Sequence, residues 1–315
     1  LLGETTLSEQ EASGYVVRYG QLIEKLAEAA SQWPDDALID FGPKGRLPRV
    51  NVSMKISALD SQLKECDADG CVDRLYKKLL PLFVKAKEKN VFVNLDLEQW
   101  SMHAISYDLF ERLASSEELR DWPHLGIVVQ AYLRSAMDDL QRLESLAKWR
   151  ACPLTIRLVK GAYWDYEVVV ANQNSHPCPV FQKKSESDAN YEALSEAMLL
   201  RHEHLNAAFG SHNLRSLAHA IAVAQSLGLP KNSFEIQMLY GMAEPERKTM
   251  RKMGHRVRVY APVGDMLPGM AYLVRRLLEN TSNEGFLQQS HHKKASIEAL
   301  LSPPSQQSNL STPSC

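Results

Sequence analysis

Apolar and polar positions follow two interleaved rhythms along this chain. Short runs rich in Val, Ile, Leu and Phe, bounded by turn residues, are each followed by a longer stretch whose apolar residues recur every three to four positions. These are the spacings of a strand and of an amphipathic helix. The runs fall at residues 1–6, 50–57, 91–98, 126–132, 154–161, 205–212, 234–240 and 256–262. The punctuation between them agrees. Ser8 to Glu11 has the form of a capping box at a helix start, and Ser135 with Asp138 repeats it ahead of Leu140, Leu143 and Leu146. Pro245 sits near a helix start and Gly254 just past its end, as the missing N–H of proline and the φ freedom of glycine dictate.

Eight strand and helix alternations close most readily as a (βα)8 barrel, with an open doubly wound sheet as the competitor. No glycine-rich dinucleotide turn follows the first strand, which favours the barrel. The barrel is expected to fill residues 1–287. Beyond it the pattern gives way to Ser, Pro, Gln and Asn, so 288–315 reads as a linker-like, disordered tail with a short apolar turn at 297–301.

Composition narrows the picture further. With 36 Lys plus Arg against 38 Asp plus Glu there is no global positive charge to draw nucleic acid, and any anion site must be local. The five cysteines, Cys66, Cys71, Cys152, Cys178 and Cys315, form no C-x-x-C, so reduced thiols are expected and neither zinc nor a disulfide framework. No apolar run reaches the roughly 18 residues of a membrane span and no signal peptide pattern is present, so a cytoplasmic protein is expected. A chain that opens at Leu1, without Met, inside a strand-like segment reads as a piece of a longer one.

Barrel active sites gather at the C-terminal ends of the strands. Here those ends carry Glu4, Lys55, Asp96 with Glu98, Gln130, Arg157 with Lys160, Ser211-His212-Asn213, Gln237 and Tyr260. Charges pointing into a barrel mouth are costly unless paired or bound to a ligand, so this density marks a site. Arg157 to Trp164 joins two cations, Gly161 and two aromatics at one strand end. That suits a flat anionic cofactor, and equally a strand end packing its aromatics on the next helix. Tyr272, Arg275, Arg276 and Glu279 share one face of a helix capped by Asp265, with Met270, Val274, Leu277 and Leu278 on another. By spacing alone that polar face is a solvated one with an internal ion pair; over a carboxylate ligand, two adjacent guanidiniums would form a clamp. Lys55 or Lys160 could also form a Schiff base, as in a barrel lyase, and a silent ligand-binding barrel stays open.

The words Leu2-Gly3-Glu4, 54–59, 94–98, 130–132, 157–164, His212-Asn213, 260–264 and 272–280 resemble, in order, the proline dehydrogenase domain of the bifunctional proline-utilisation flavoproteins of bacteria. The resemblance implies a distorted (βα)8 barrel with its last helix over the C-terminal mouth, and FAD at the strand ends. It implies that Arg275, Arg276 and Lys55 hold the carboxylate of L-proline, that Tyr260, Tyr272, Leu239 and Ala162 pack on its ring, and that Asp96 holds Lys55. Glu4 would pair with Arg275 as a gate. FAD would contact Gln130, Arg157, Lys160, Gly161, Trp164, Ser187, Ser211, His212, Asn213 and Glu279, with Arg157 near flavin N5. Proline would lose a hydride from C5 to that nitrogen, and the electrons would pass to a membrane quinone. The partners implied are that quinone and the aldehyde dehydrogenase domain of a parent chain lying peripherally at the inner membrane. Ser187 and Ser211 stand where many relatives carry Thr, which keeps the hydroxyl. Leu59-Asp60 replaces a more usual Leu-His-Pro, so that loop is expected to differ.

Overall fold

The computed structural model describes residues 1, 5–264, 269–281 and 301–304, with 271 and 278–281 described by backbone alone. A long helix, α1 (Glu9–Ser31), leads to a two-residue-strand hairpin, β1 (Phe41–Gly42) and β2 (Gly45–Arg46). Then come β3 (Asn51–Lys55), α2 (Ala68–Glu88), β4 (Phe92–Asp96), α3 (His103–Ala114), β5 (Leu125–Gln130), α4 (Ala136–Arg150) and β6 (Leu154–Val159). Two helices follow β6 where one was expected, α5 (Trp164–Gln173) and α6 (Lys184–Leu200). β7 (Leu205–Gly210), α7 (Leu214–Ser226), β8 (Glu235–Leu239), α8 (Glu244–Lys252), β9 (Arg256–Tyr260) and α9 (Met270–Thr281) complete the order.

Strands β3 to β9 form one parallel sheet in strict chain order. A doubly wound sheet would reverse its order part-way across; this one never does. Its two edges also meet. Arg258 of β9 donates from Nη1 to Arg49 O, just ahead of β3, at 3.3 Å. Leu1 lines one cavity with Asn51 and Val52 of β3 and Val259 of β9, so the chain start lies at the seam between first and last strands. The fold is a (βα)8 barrel. Of the predicted first strand, residues 2–4 fall outside the described residues; Thr6 donates to Ser57 O at 3.0 Å, beyond the end of β3.

Helices wrap the sheet because each buries one stripe. α1 turns Tyr15, Tyr19 and Ile23 inward, and α2 turns Leu75, Leu79, Leu82 and Phe83. β4 and β5 are buried along their whole length, as strands covered on both faces must be. Ser8 caps α1 as expected by accepting from Glu11 N–H at 3.2 Å, while the Glu11 carboxylate takes the Leu7 N–H at 3.0 Å in place of that of Ser8. Ser135 caps nothing: its backbone is already helical (φ −83°, ψ −2°), so its hydroxyl cannot reach forward to the free N–H groups, and Asp138 is not part of a box. Pro245 lies in the first turn of α8 and Gly254, at φ +87°, follows its end as anticipated. The expected cap at Asp265 lies outside the described residues.

α9 is inverted relative to an ordinary surface helix. Tyr272, Arg275 and Arg276 are half-buried, whereas Met270, Leu273, Val274 and Leu277 are exposed. The polar stripe therefore faces the protein. Of the tail, residues 301–304 are described, and Arg215 of α7 donates to Leu301 O at 2.8 Å; the rest of 282–315 lies outside the described residues. Among the described residues no helix is long and apolar enough to cross a membrane.

Candidate active site

Parallel register sets the site. Lys55 ends β3 directly beside Asp96 at the end of β4, both at the C-terminal mouth. Asp96 is buried and is a junction: Oδ1 accepts from Arg157 Nη1 of β6 and from Asn94 Nδ2 at 3.0 Å, and Oδ2 accepts from the Tyr260 hydroxyl of β9 at 3.0 Å. Three strands on different sides of the barrel are thus tied through one carboxylate. Arg157 donates from Nη2 to Ser53 Oγ at 3.0 Å, and its guanidinium lies 5.5 Å from the Tyr260 ring centre. Burial, reinforced by the Asp96 charge, pushes the Tyr260 phenol well above its ordinary pKa, so it stays a neutral donor.

The Tyr260 ring stacks on Tyr272 of α9, centroids 6.5 Å apart and planes within 20°. Next along α9, the Arg276 guanidinium lies 5.3 Å from the Tyr272 ring centre, and that of Arg275 lies 5.1 Å from the ring of Tyr163. Each arginine is thereby held over an aromatic face, a contact that desolvation strengthens. A cavity of about 330 Å³ is bounded by Lys55, Arg157, Tyr260 and Tyr272 and runs toward the seam between β3 and β9. Leu239, half-buried, ends β8, the strand paired with β9, with Leu239 in register with Tyr260.

A second cluster forms where β6 ends. Lys160 and Lys184 both pair with Asp188 on α6, and the Lys160 ammonium lies 5.7 Å from the Tyr191 ring centre. Burial outweighs the pull of Asp188 and lowers Lys160 to about 8. Ser187 is buried beside Asp188 in the first turn of α6. Gly161 adopts φ +130°, and a Cβ there would come 2.4 Å from the Tyr132 ring, so its close approach is to this chain's own aromatic. Trp164 opens α5 and donates from Nε1 to Phe181 O at 2.7 Å. Gln130 ends β5 and donates to Glu98 O at 3.2 Å.

At β7, His212 Nε2 accepts the Leu239 N–H at 2.9 Å, which fixes the ring's proton on Nδ1 and occupies the lone pair that a general base would use. Ser211 Oγ accepts from Asn213 N–H at 3.0 Å, and the Asn213 side chain caps α7 by accepting from Ser216 N–H at 3.2 Å. The structure thus joins Lys55, Asp96, Arg157, Tyr260, Tyr272, Arg275 and Arg276 around one mouth. Glu4 and the Glu279 side chain lie outside the described residues. Glu98, expected to share the face of Asp96, turns instead to Ser57, accepting from its N–H at 3.1 Å and its hydroxyl at 2.6 Å, because β4 and its alternation end at Asp96. Asn94, Ser53, Lys184 and Asp188 were not anticipated. Asn94 and Ser53 stand two residues before Asp96 and Lys55, so the strand period could have found them.

The residues suit a bound FAD: cations on β6 and α6 for an anionic group, amide and hydroxyl groups at the ends of β5 and β7, and an Arg157 Nε that is buried with no hydrogen-bond partner beside the cavity. Comparison with known proteins agrees with this geometry. The family model described as proline dehydrogenase matches residues 1–289. The bifunctional protein PutA of Escherichia coli is 32% identical over 311 residues, 96% of this chain and 23% of that protein. Proline dehydrogenase 2 of Bacillus subtilis is 30% identical over 244 residues, 78% of this chain and 70% of that protein. The crystal structure of proline utilization A from Bdellovibrio bacteriovorus inactivated by N-propargylglycine superposes with a TM-score of 0.95 at 47% identity, over 99% of this chain and 32% of that one. The chain spans about a quarter of the length of the PutA relatives it matches.

Proposed function

The chain belongs to the proline dehydrogenase family, and from that premise we propose that it oxidises L-proline to Δ1-pyrroline-5-carboxylate with FAD as its cofactor. The observation that carries this reading is the inverted α9, which turns two adjacent arginines toward the protein and sets Tyr272 in the wall of the cavity at the barrel mouth. Two adjacent guanidiniums offer the paired donors that a carboxylate accepts, and a small apolar amino acid matches the aromatic wall beside them.

In this reading Arg275, Arg276 and Lys55 take the carboxylate, with Glu4 a gate on Arg275. Tyr260, Tyr272, Leu239 and Ala162 exclude water from the pyrrolidine ring. Asp96 anchors the floor by holding Tyr260 and Arg157. Gln130, Arg157, Lys160, Gly161, Trp164, Ser187, Ser211, His212 and Glu279 would hold FAD, with Asn213 acting through the helix it caps. Bound there, FAD would supply the acceptor, at N5, for a hydride from proline C5, and the electrons would go on to a membrane quinone. Arg157 favours the electron-rich reduced ring by its charge. The substrate amine must be neutral for its lone pair to assist; with His212 Nε2 engaged and Tyr260 held protonated, water takes the ammonium proton. The parent protein's aldehyde dehydrogenase domain would consume the product, in the cytoplasm at the inner membrane face.

One observation favours a second reading. A lysine lowered to about 8, as Lys160 is, is what a Schiff-base lyase requires. Against it, Lys160 is committed to Asp188 on α6 and does not line the cavity. Two measurements separate the readings. The purified chain supplied with FAD should show near-stoichiometric flavin absorption that anaerobic proline bleaches. Absence of flavin binding, or unbleached bound flavin, overturns the dehydrogenase, and borohydride trapping of a carbonyl substrate on Lys160 would establish the lyase.

A further inference from the structure

The Asp96 carboxylate has a neighbour that the proposed reaction leaves unused. Asn94, two residues back on β4 and 1% exposed, donates from Nδ2 to Asp96 Oδ1 at 3.0 Å and to Leu95 O at 3.2 Å. That carboxylate oxygen is the one that also accepts from Arg157, while Tyr260 holds the other. The terminal torsion of an aspartate is broad, so an amide donor beneath it restricts a rotation that nothing in the strand itself would. It also shares Oδ1 with the guanidinium, and so sets the angle at which Asp96 and Arg157 meet.

Room for the amide comes from the next strand. Gly126 of β5 is in register with Asn94, and a Cβ there would lie 2.7 Å from Asn94 Oδ1, 2.8 Å from Phe92 Cζ and 3.0 Å from Thr155 O. Its φ is not positive, so conformation does not require glycine here. Space does. A glycine inside a strand weakens it, and close approach of a neighbour is a physical reason for one.

We propose that Asn94 is a positioning residue for the flavin chemistry: it fixes the Asp96 carboxylate, and through it Arg157 and the Tyr260 hydroxyl, with Gly126 small so that it can. This rests on the reading of the site as a flavin-dependent proline dehydrogenase. Without the amide, Asp96 Oδ1 is left to Arg157 alone, the carboxylate is free to turn, and the guanidinium that follows it no longer lies where its charge favours reduced flavin. The carboxylate clamp on α9 is untouched by that change.

The test uses the FAD-loaded full chain with Asn94→Leu, close in volume but without a donor, and reads the flavin midpoint potential anaerobically beside KM and kcat for proline. The expected result is a lower potential, at least tenfold in the two-electron equilibrium constant or about 30 mV, with kcat down about tenfold and KM within twofold. Gly126→Ala crowds the amide from β5 and moves the potential the same way. Asn94→Ser, which keeps a hydroxyl donor, gives an intermediate value and serves if the leucine variant does not fold. Folded Asn94 variants with a lower melting temperature and an unchanged potential overturn the proposal, leaving Asn94 structural. Wild-type chain that binds no FAD, or whose flavin proline does not reduce, overturns the underlying reading and this one together. Normal wild-type reduction beside unchanged variants overturns the role of Asn94 alone.

Discussion

The barrel buries a carboxylate among arginines at each end, and the two clusters spend their hydrogen bonds differently. At the base, Glu235 of β8 accepts from Arg258 Nε at 2.8 Å and Gln237 Nε2 at 2.7 Å, with Arg256 at 3.3 Å. The remaining guanidinium groups go to backbone: Arg258 to Arg49 O, and Arg256 to Asn232 O and Phe41 O. At the mouth, Asp96 joins Arg157 and Tyr260, and the groups around it are side chains bordering a cavity under α9. The base cluster spends its spare donors on carbonyls even where Arg258 and Gln237 reach the cavity, whereas the mouth cluster leaves Arg157 Nε buried beside that cavity with no hydrogen-bond partner. Position in the barrel agrees, since active sites lie at the C-terminal strand ends.

The largest effect should come from the base. Glu235→Gln leaves the buried Arg256 and the half-buried Arg258 without their anion and should cost about 3–5 kcal/mol of stability, read by urea or thermal unfolding. Burial alone would raise the Glu235 pKa, but Arg258 and Arg256 hold it down to about 2 from 4.5. A depressed carboxyl stabilises above its unfolded pKa, so this contribution, about 3 kcal/mol, is full above pH 4.5 and lost as pH falls toward 2. The glutamine variant should lack that acid segment of the melting curve. Equal acid sensitivity in both proteins would deny the base its clasp.

At the mouth, Arg275→Met or Arg276→Met should weaken proline binding by roughly 2–5 kcal/mol, with FAD affinity and melting temperature nearly unchanged. Calorimetric titration of each ligand reads the split. Proline affinity unaltered in both variants would remove the lid from the site.

Between these extremes stands Lys160. Because burial lowers it to about 8, affinity for an anionic cofactor should decline as pH rises past that value, where the ammonium is lost. Lys160→Met should weaken FAD binding about tenfold, on the order of 1.4 kcal/mol, and flatten the pH dependence. A slope that survives the substitution would point to a different cation. The smallest effect concerns Asn213. Its alanine variant should lose about 1 kcal/mol as α7 loses its cap, and Asn213→Asp should restore it. FAD affinity reduced in the aspartate variant as well would show a contact beyond the cap.

Seven of the eight predicted strands appear within two residues of their expected bounds, because short runs of β-branched and apolar residues between turn residues mark them, most fully in β4 and β5, which are buried along their whole length. The extra helix after β6 was hidden by the weak amphipathicity of 164–173, where aromatic residues near the mouth are exposed. Of the site, Lys55, Asp96, Arg157 and Tyr260 were visible as polar residues where strands end. The face of α9 was not: by spacing alone its arginines read as solvated. Only packing of Tyr272 on Tyr260 turned them inward.

What the sequence determined by itself is therefore the alternation of elements, their parallel order and the end of the barrel at which polar groups gather. These follow from local periodicity, which each segment carries alone. Tertiary structure decided which of two similar charge clusters closes on backbone carbonyls and which lies under α9, where Glu98 and His212 spend their hydrogen bonds, and which way α9 faces. Those outcomes depend on contacts such as His212 with Leu239, 27 positions apart and 2.9 Å, and Arg49 with Arg258, 209 positions apart and 3.3 Å, and no local pattern encodes such a distance.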